Sequence, residues 1–211
     1  LGRVAIGLGL MLLALHLLVQ SMEPVEAARA MRTVLQAIAD QPLLNLLIAA
    51  EPTWAAHSRG ATMLFVMSLA DAGLLAGGAA LAMVIGANIG SALNPVLAAS
   101  GGEPAALRLP LGNLFTRLAG AAVALPLLQP IQSWLAALSA DPGQTAANFH
   151  TAFNLALALA FILPLPALAQ ALERLLPDRP AAEDPGRPRY LDAADLAVPA
   201  MALADAAREA M

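Results

Sequence analysis

The residues best suited to chemistry gather between two short apolar runs, residues 42–50 and 61–70, where the chain reads Glu51-Pro52-Thr53-Trp54-Ala55-Ala56-His57-Ser58-Arg59-Gly60. This decapeptide brings an imidazole, two hydroxyls, a carboxylate and a guanidinium into a region whose flanks avoid all of them, and Thr62 follows two residues later. A cation here costs at least about 2.5 kcal/mol at mid-membrane unless it is paired or hydrated, and Glu51 is the expected partner of Arg59 across the turn. Two further pairs sit one helical turn apart. His150 and Asn154 are spaced for a structural hydrogen-bonded pair rather than for ligands, and Asn113 with Arg117 is expected near the membrane edge, where arginine extends to headgroups. Catalysis has little support. The adjacent His57 and Ser58 lack an acid at usable spacing, no carboxylates cluster for a metal, and with 0 cysteines there is no thiol nucleophile, thiolate site or disulfide.

The elements that must position these groups lie in a bilayer. Of 211 residues, 59% are hydrophobic and 12% charged, with a mean hydropathy of +0.70; a water-soluble domain carries about 25% charged residues. Arginine is the sole strongly basic residue and forms no cluster, so nucleic acid is not a partner, and a net charge of −4 adds nothing to that. Polar character concentrates after residue 177. The chain opens on Leu1 without the pattern of a cleaved signal, and it reads as a segment of a longer protein.

Residues 4–19 form an apolar run interrupted by His16 alone, close to the length of about 20 that a span requires. Residues 25–40 have the alternation of an amphipathic helix lying at the interface. The two half-length runs around the 51–60 turn predict a re-entrant or broken hairpin, tolerated at membrane depth only where protein or water satisfies its backbone. After a turn at Asp71-Ala72-Gly73, residues 74–85 are apolar and break at Gly86-Ala87-Asn88-Ile89-Gly90-Ser91, with apolar sequence resuming over 93–99. Residues 105–128 span again, 129–141 predict a short surface helix and loop, and 145–176 predict one last long span. Residues 178–189, rich in proline and charge, are a semi-rigid linker, and residues 190–211 return to helical spacing. The fold class expected is an all-α membrane protein of polytopic helices with a broken hairpin.

Three segments resemble the bacterial sodium/phosphate cotransporter family, related to the type II phosphate carriers of animals. Thr53 followed by His57-Ser58-Arg59-Gly60-Ala61-Thr62 is similar to the family's Thr and Gln-Ser-Ser-Ser-Ala-Thr hairpin motif. Gly86-Ala87-Asn88-Ile89-Gly90-Ser91-Ala92 is similar to its Gly-Ala-Asn-Ile-Gly-Thr-Thr motif, and His150-Thr151-Ala152-Phe153-Asn154 matches its His-Thr-x-Phe-Asn motif in full. The tail from Tyr190-Leu191-Asp192 resembles the entry to a PhoU-type cytosolic domain. The resemblance implies that residues 1–177 are one half of an inverted-repeat transporter. The missing first repeat of the same protein would be a partner, alongside inorganic phosphate, sodium and the lipid bilayer. It also implies a multi-pass protein of the bacterial inner membrane with a cytoplasmic C-terminus, carrying phosphate by sodium symport, with no cofactor beyond sodium as the coupling ion.

A phosphate crossing a bilayer must exchange its water for donors, and the N-termini of broken helices provide them. The resemblance therefore implies a site from Thr53, His57, Ser58, Arg59, Gly60, Thr62, Gly86, Asn88, Gly90 and Ser91, with sodium at Ser58, Thr62, Asn88 and Ser91. Glu51, His150 and Asn154 would support it. Each has a plainer role open to it: the glycines can serve close helix packing, and the hydroxyls can bond to their own backbone. His57 and Arg59 depart from the family's Gln and Ser. The expectation is that Arg59 takes the electrostatic place of a sodium ion. The alternative is a non-transporting phosphate sensor with a degenerate hairpin.

Overall fold

The computed structural model describes residues 2–26, 29–179 and 198–209, and these are helical with no strand among them. Its elements are α1 (Gly2–Glu26), α2 (Arg29–Ala37), α3 (Pro42–Ala55), α4 (Arg59–Asp71), α5 (Gly77–Ala99), α6 (Pro104–Ala124), a 3₁₀ turn (Leu125–Leu127), α7 (Leu128–Leu138), α8 (Pro142–Ile162), α9 (Leu165–Leu175) and α10 (Pro199–Glu209). Prolines open α3, α6, α8 and α10, where the missing amide hydrogen costs nothing and the fixed φ suits a first turn. The chain forms two compact units, residues 1–177 and 178–211. Within the second, α10 carries an Asp205–Arg208 ion pair at 4.0 Å. The linker residues from 180 and the Tyr190-Leu191-Asp192 segment lie outside the described residues.

The first unit is built around α5. Every residue from Ala79 to Gly90 is buried, as expected of a helix that is apolar all round, and α3, α4, α6, α7 and α8 all pack on it. Among the described residues, three helical stretches are long and apolar enough to cross a membrane: Gly77–Ala99, Pro104–Leu138 and Pro142–Ile162. The outer faces match, since Leu155, Leu159 and Ile162 of α8 and Val4, Ile6 and Leu10 of α1 are exposed.

The closest helix contact joins α3 to α5. A Cβ on Gly86 would collide with the backbone carbonyl of Leu46, and one on Gly90 with that of Ala50. Positions four apart on one helix thus meet positions four apart on the other in the same order, so α3 and α5 run parallel with their backbones in contact, a small-xxx-small seam.

Two expectations need correction. The Gly86–Ser91 segment is not a break: α5 runs straight through it, because Asn88 bonds its side chain to Val84 O at 3.0 Å and leaves the helical ladder whole. The span expected over residues 145–176 is two helices, interrupted at Leu163-Pro164. The short surface helix expected over 129–141 is α7, which turns Leu128 and Leu135 into the core and leaves most of its other residues exposed. The broken hairpin is present as α3–α4, with its turn narrowed to Ala56-His57-Ser58, and Gly73 makes the next turn at φ +67°.

α4 and α8 are joined end to end. Asp71, the last residue of α4, accepts from Gly143 N at 2.6 Å, and Asp141 caps α8 by accepting from Gln144 N at 3.0 Å. Carboxylates at a helix N-terminus are favoured by its partial positive charge.

Two outcomes follow for stability. Gly86→Ala must push α3 off α5 and is expected to cost about 1–3 kcal/mol, whereas Gly60→Ala, with open space at its Cβ, is expected to be neutral or mildly stabilising; unfolding midpoints in detergent compare them. The Gln144 amide, then the Asp71 side chain, hold the Asp141 carboxyl below its ordinary 3.8. A depressed folded pKa means the cap's stabilisation is full above that ordinary value and is lost as pH falls through the lowered one. Thermal unfolding against pH is expected to show this acid loss, and Asp141→Ala to remove it.

Candidate functional site

The hairpin turn places the site's first members. Ala56 ends α3 in a helical conformation, His57 turns the chain at φ +52°, and extended Ser58 caps α4 by accepting from Ala61 N at 3.2 Å. Left-handed backbone is uncommon for a residue with a side chain, though histidine is among those enriched there. His57 is exposed at the tip, with Nδ1 3.2 Å from Ala55 O. Below the tip, the buried Thr53 and Thr62 close the hairpin: their Oγ1 atoms are 2.8 Å apart, and Thr53 Oγ1 is 2.6 Å from Ala49 O. Thr62 Oγ1 also lies 3.4 Å from Ser58 O. These hydroxyls, and the Ser91 hydroxyl donating to Asn88 O at 2.9 Å, serve local backbone, the plainer of the two roles open to them.

One turn into the bundle, Arg59 at the start of α4 donates through Nη1 to Asn88 Oδ1 at 3.5 Å. Arg117 of α6 donates through its own Nη1 to the same oxygen at 2.5 Å and through Nε to Asn113 Oδ1 at 3.1 Å. Asn88 is wholly buried. Two guanidiniums therefore converge on one neutral amide oxygen, their Nη1 atoms no more than about 6 Å apart, and at an effective dielectric near 20 two such charges repel by about 3 kcal/mol. An amide oxygen has two lone pairs and can accept both bonds, but carries only a partial charge. Neither arginine has a carboxylate partner among the described residues. A cavity of about 220 Å³ opens beside Arg117, with Asn113, Thr116 and Asn154 on its wall. No cluster of metal-ligating side chains occurs among the described residues.

Of the residues expected in the site, the fold brings together Thr53, Thr62, Ser58, Arg59 and Asn88. Gly86 and Gly90 face the α3 backbone, the close-packing role that the sequence left open to them. Gly60 is exposed at the hairpin. Glu51 is exposed and makes no ion pair with Arg59, since α3 remains helical to Ala55 and carries Glu51 a full turn away from the tip. Asn154 donates to His150 O at 2.7 Å, the structural pairing their spacing predicts. Asn88 Oδ1 already accepts two cationic donors, which argues against sodium at that atom. Sequence reasoning missed Arg117 and Asn113. The available signal was position: Arg117 lies mid-span in an apolar helix, too deep for easy exposure at the headgroups, so it needed an interior acceptor.

Residues 10–168 match the Na+/Pi-cotransporter family. The chain belongs to that family. It is 36% identical over its whole length to the "Putative inorganic phosphate export protein YjbB" of Salmonella typhimurium and 35% identical to the protein of that name in Escherichia coli K12, in each case spanning 39% of the relative. It is 31% identical over 176 residues, 83% of the chain and 57% of the relative, to the "Uncharacterized protein YqeW" of Bacillus subtilis. The chain thus spans well under half the length of the YjbB proteins it matches. No solved structure matches it.

Asn88→Asp tests the electrostatics directly. A carboxylate of the same shape neutralises one of the two positive charges at the loss of the amide bond to Val84 O, and the variant is expected to be more stable by roughly 1 kcal/mol, since bonds to charged groups are worth about 1.5–3 kcal/mol and a neutral one about 1 kcal/mol. Asn88→Leu is expected to be destabilised by a similar amount. Unfolding midpoints in detergent give the sign.

Proposed function

We propose that the protein moves inorganic phosphate across the bacterial inner membrane and that this chain supplies one half of its path, paired with a first repeat elsewhere in the protein and with the C-terminus in the cytoplasm. The observation that carries this reading is the convergence of Arg59 and Arg117 on Asn88 with no carboxylate among the described residues to neutralise them. Two fixed charges in an apolar body ask for an oxyanion of matching charge. Arginine suits that role, since its planar fork meets the oxygens of phosphate with paired donors. Asn88 holds both forks in place until the anion arrives, and because it is neutral it gives way without leaving a buried charge behind. Membership of a phosphate cotransporter family and the names of the YjbB relatives support phosphate as the oxyanion.

Sodium symport is proposed for the whole protein on the strength of the family. Within this half the guanidiniums do the electrostatic work that a bound sodium would otherwise do, so coupling sodium is held elsewhere and dependence on it is shallow. The YjbB names favour export as the direction of net flux.

The test is radiolabelled phosphate flux in vesicles carrying the full-length protein, with and without a sodium gradient. Arg117→Gln is expected to lower flux by ~10- to 100-fold, the equivalent of one charge-assisted hydrogen bond. Arg59→Ser is expected to lower flux and steepen its sodium dependence. Wild-type flux that is steeply sodium-dependent, with Arg59→Ser changing nothing, contradicts the role given to Arg59. Phosphate binding without flux would instead make the protein a sensor.

A further inference from the structure

The groups gathered around Asn88 are almost all donors. Arg59 and Arg117 can only donate. Asn88 Oδ1 and Asn113 Oδ1 accept from them, and the Asn88 amide nitrogen donates to Val84 O. A site of donors alone holds any tetrahedral oxyanion of the right charge, and phosphate and sulfate are nearly the same size and shape. They differ in one respect that a protein can read near neutral pH: phosphate keeps at least one P–OH, while sulfate has no proton. Discrimination therefore needs an acceptor with nothing else to accept.

The structure contains one in position. His150 is half-buried, yet its Nε2 is closed off from solvent and has no hydrogen-bond partner. α8 packs against α4, α5, α6 and α7. Of the ionisable groups on those helices, α4 contributes Arg59 at this end and Asp71 at the other, bonded to Gly143. α6 contributes Arg117, and Arg108, which is bonded to Leu176 O; α5 and α7 have none. The charged heads of Arg59 and Arg117 both lie within electrostatic range of the His150 ring. One turn along the same face, Asn154 bonds to the His150 carbonyl and lines the cavity beside Arg117. The imidazole thus lies close to both guanidiniums, one helical turn from the residue that lines the cavity beside Arg117, and keeps an unused nitrogen. A buried polar atom left unpartnered costs about 1–3 kcal/mol, so the vacancy asks for an occupant.

We infer that His150 Nε2 accepts the hydroxyl proton of hydrogen phosphate held by Arg59 and Arg117, and that this bond selects phosphate over sulfate. The inference rests on the phosphate reading above and adds the residue that sets its selectivity. With the ring proton on Nδ1, Nε2 presents a lone pair to a P–OH, while the guanidiniums hold the bare oxygens. In that tautomer sulfate offers the same atom only a lone pair, so acceptor faces acceptor, and holding sulfate there requires moving the ring proton to Nε2. Arsenate, which keeps an As–OH, is treated as phosphate is.

The test uses the full-length protein in proteoliposomes and reads labelled phosphate flux against competing sulfate or arsenate, for the wild type, His150→Gln and His150→Leu, with unfolding midpoints recorded for each. The wild type is expected to be inhibited by arsenate and not by a large excess of sulfate. His150→Leu is expected to lose ~10- to 100-fold of that selectivity, the loss coming from phosphate. His150→Gln, which keeps an acceptor oxygen, is expected to retain most of it. A purely structural role would weaken both anions together and leave their ratio unchanged. Unchanged selectivity in His150→Leu overturns the inference alone, as does sulfate competing equally with phosphate in the wild type, an arm that needs no variant. No phosphate flux in the wild type overturns the functional reading and this inference with it.

Discussion

Two positive charges sharing one neutral oxygen inside an apolar helical body is the constraint on which the rest of the first unit depends. Bringing one arginine to the centre of a bilayer costs about 2.5–3.5 kcal/mol on insertion scales, and bringing two within about 6 Å of each other adds their repulsion. A structure that keeps this arrangement must hold both side chains firmly and must be compensated by packing elsewhere. Asn88 meets the first requirement. It is wholly buried, tied to its own helix at Val84 O, and offers its remaining oxygen to both arginines.

The second requirement explains the helix packing. α5 carries Asn88 and is encased by five other helices. Its glycines let α3 approach until backbone touches backbone, which fixes the height of the hairpin relative to Asn88. The Thr53–Thr62 pair then locks the two hairpin arms, and the turn at His57 delivers Arg59 at the start of α4, facing α5. α6 delivers Arg117 to the same oxygen, steadied by Asn113 one turn earlier. Asp71, bonded to the first turn of α8, ties the far end of α4 to the helix that carries His150. These contacts set the position of the charged heads, and the packing around α5 buries the apolar surface that offsets their cost.

Much of this was legible in the residues, for identifiable reasons. The hairpin could be read because two apolar runs too short to span flank a polar turn containing proline and glycine, and no continuous helix explains that pattern. Membership of a phosphate transporter family could be read from the His150-Thr151-Ala152-Phe153-Asn154 and Gly86-Ala87-Asn88-Ile89-Gly90 motifs, and the match over residues 10–168 bears it out. What failed were inferences requiring a partner distant in sequence. Gly86 and Gly90 look like a break when α5 is read alone; they become a packing seam only once α3 lies against them. Glu51 is the nearest acid to Arg59 along the chain, but the acceptor Arg59 uses lies 29 positions away. Arg117 reaches the same atom across the same sequence distance, which nothing local to α6 announces. Local punctuation is visible in one dimension; the pairing of buried charges is decided in three.

The most direct test of this account is a structure of the full-length protein with phosphate bound. The account predicts the anion between Arg59 and Arg117, with at least one guanidinium moved from Asn88 Oδ1 onto a phosphate oxygen. Phosphate bound elsewhere, with both guanidiniums still resting on Asn88, would contradict it.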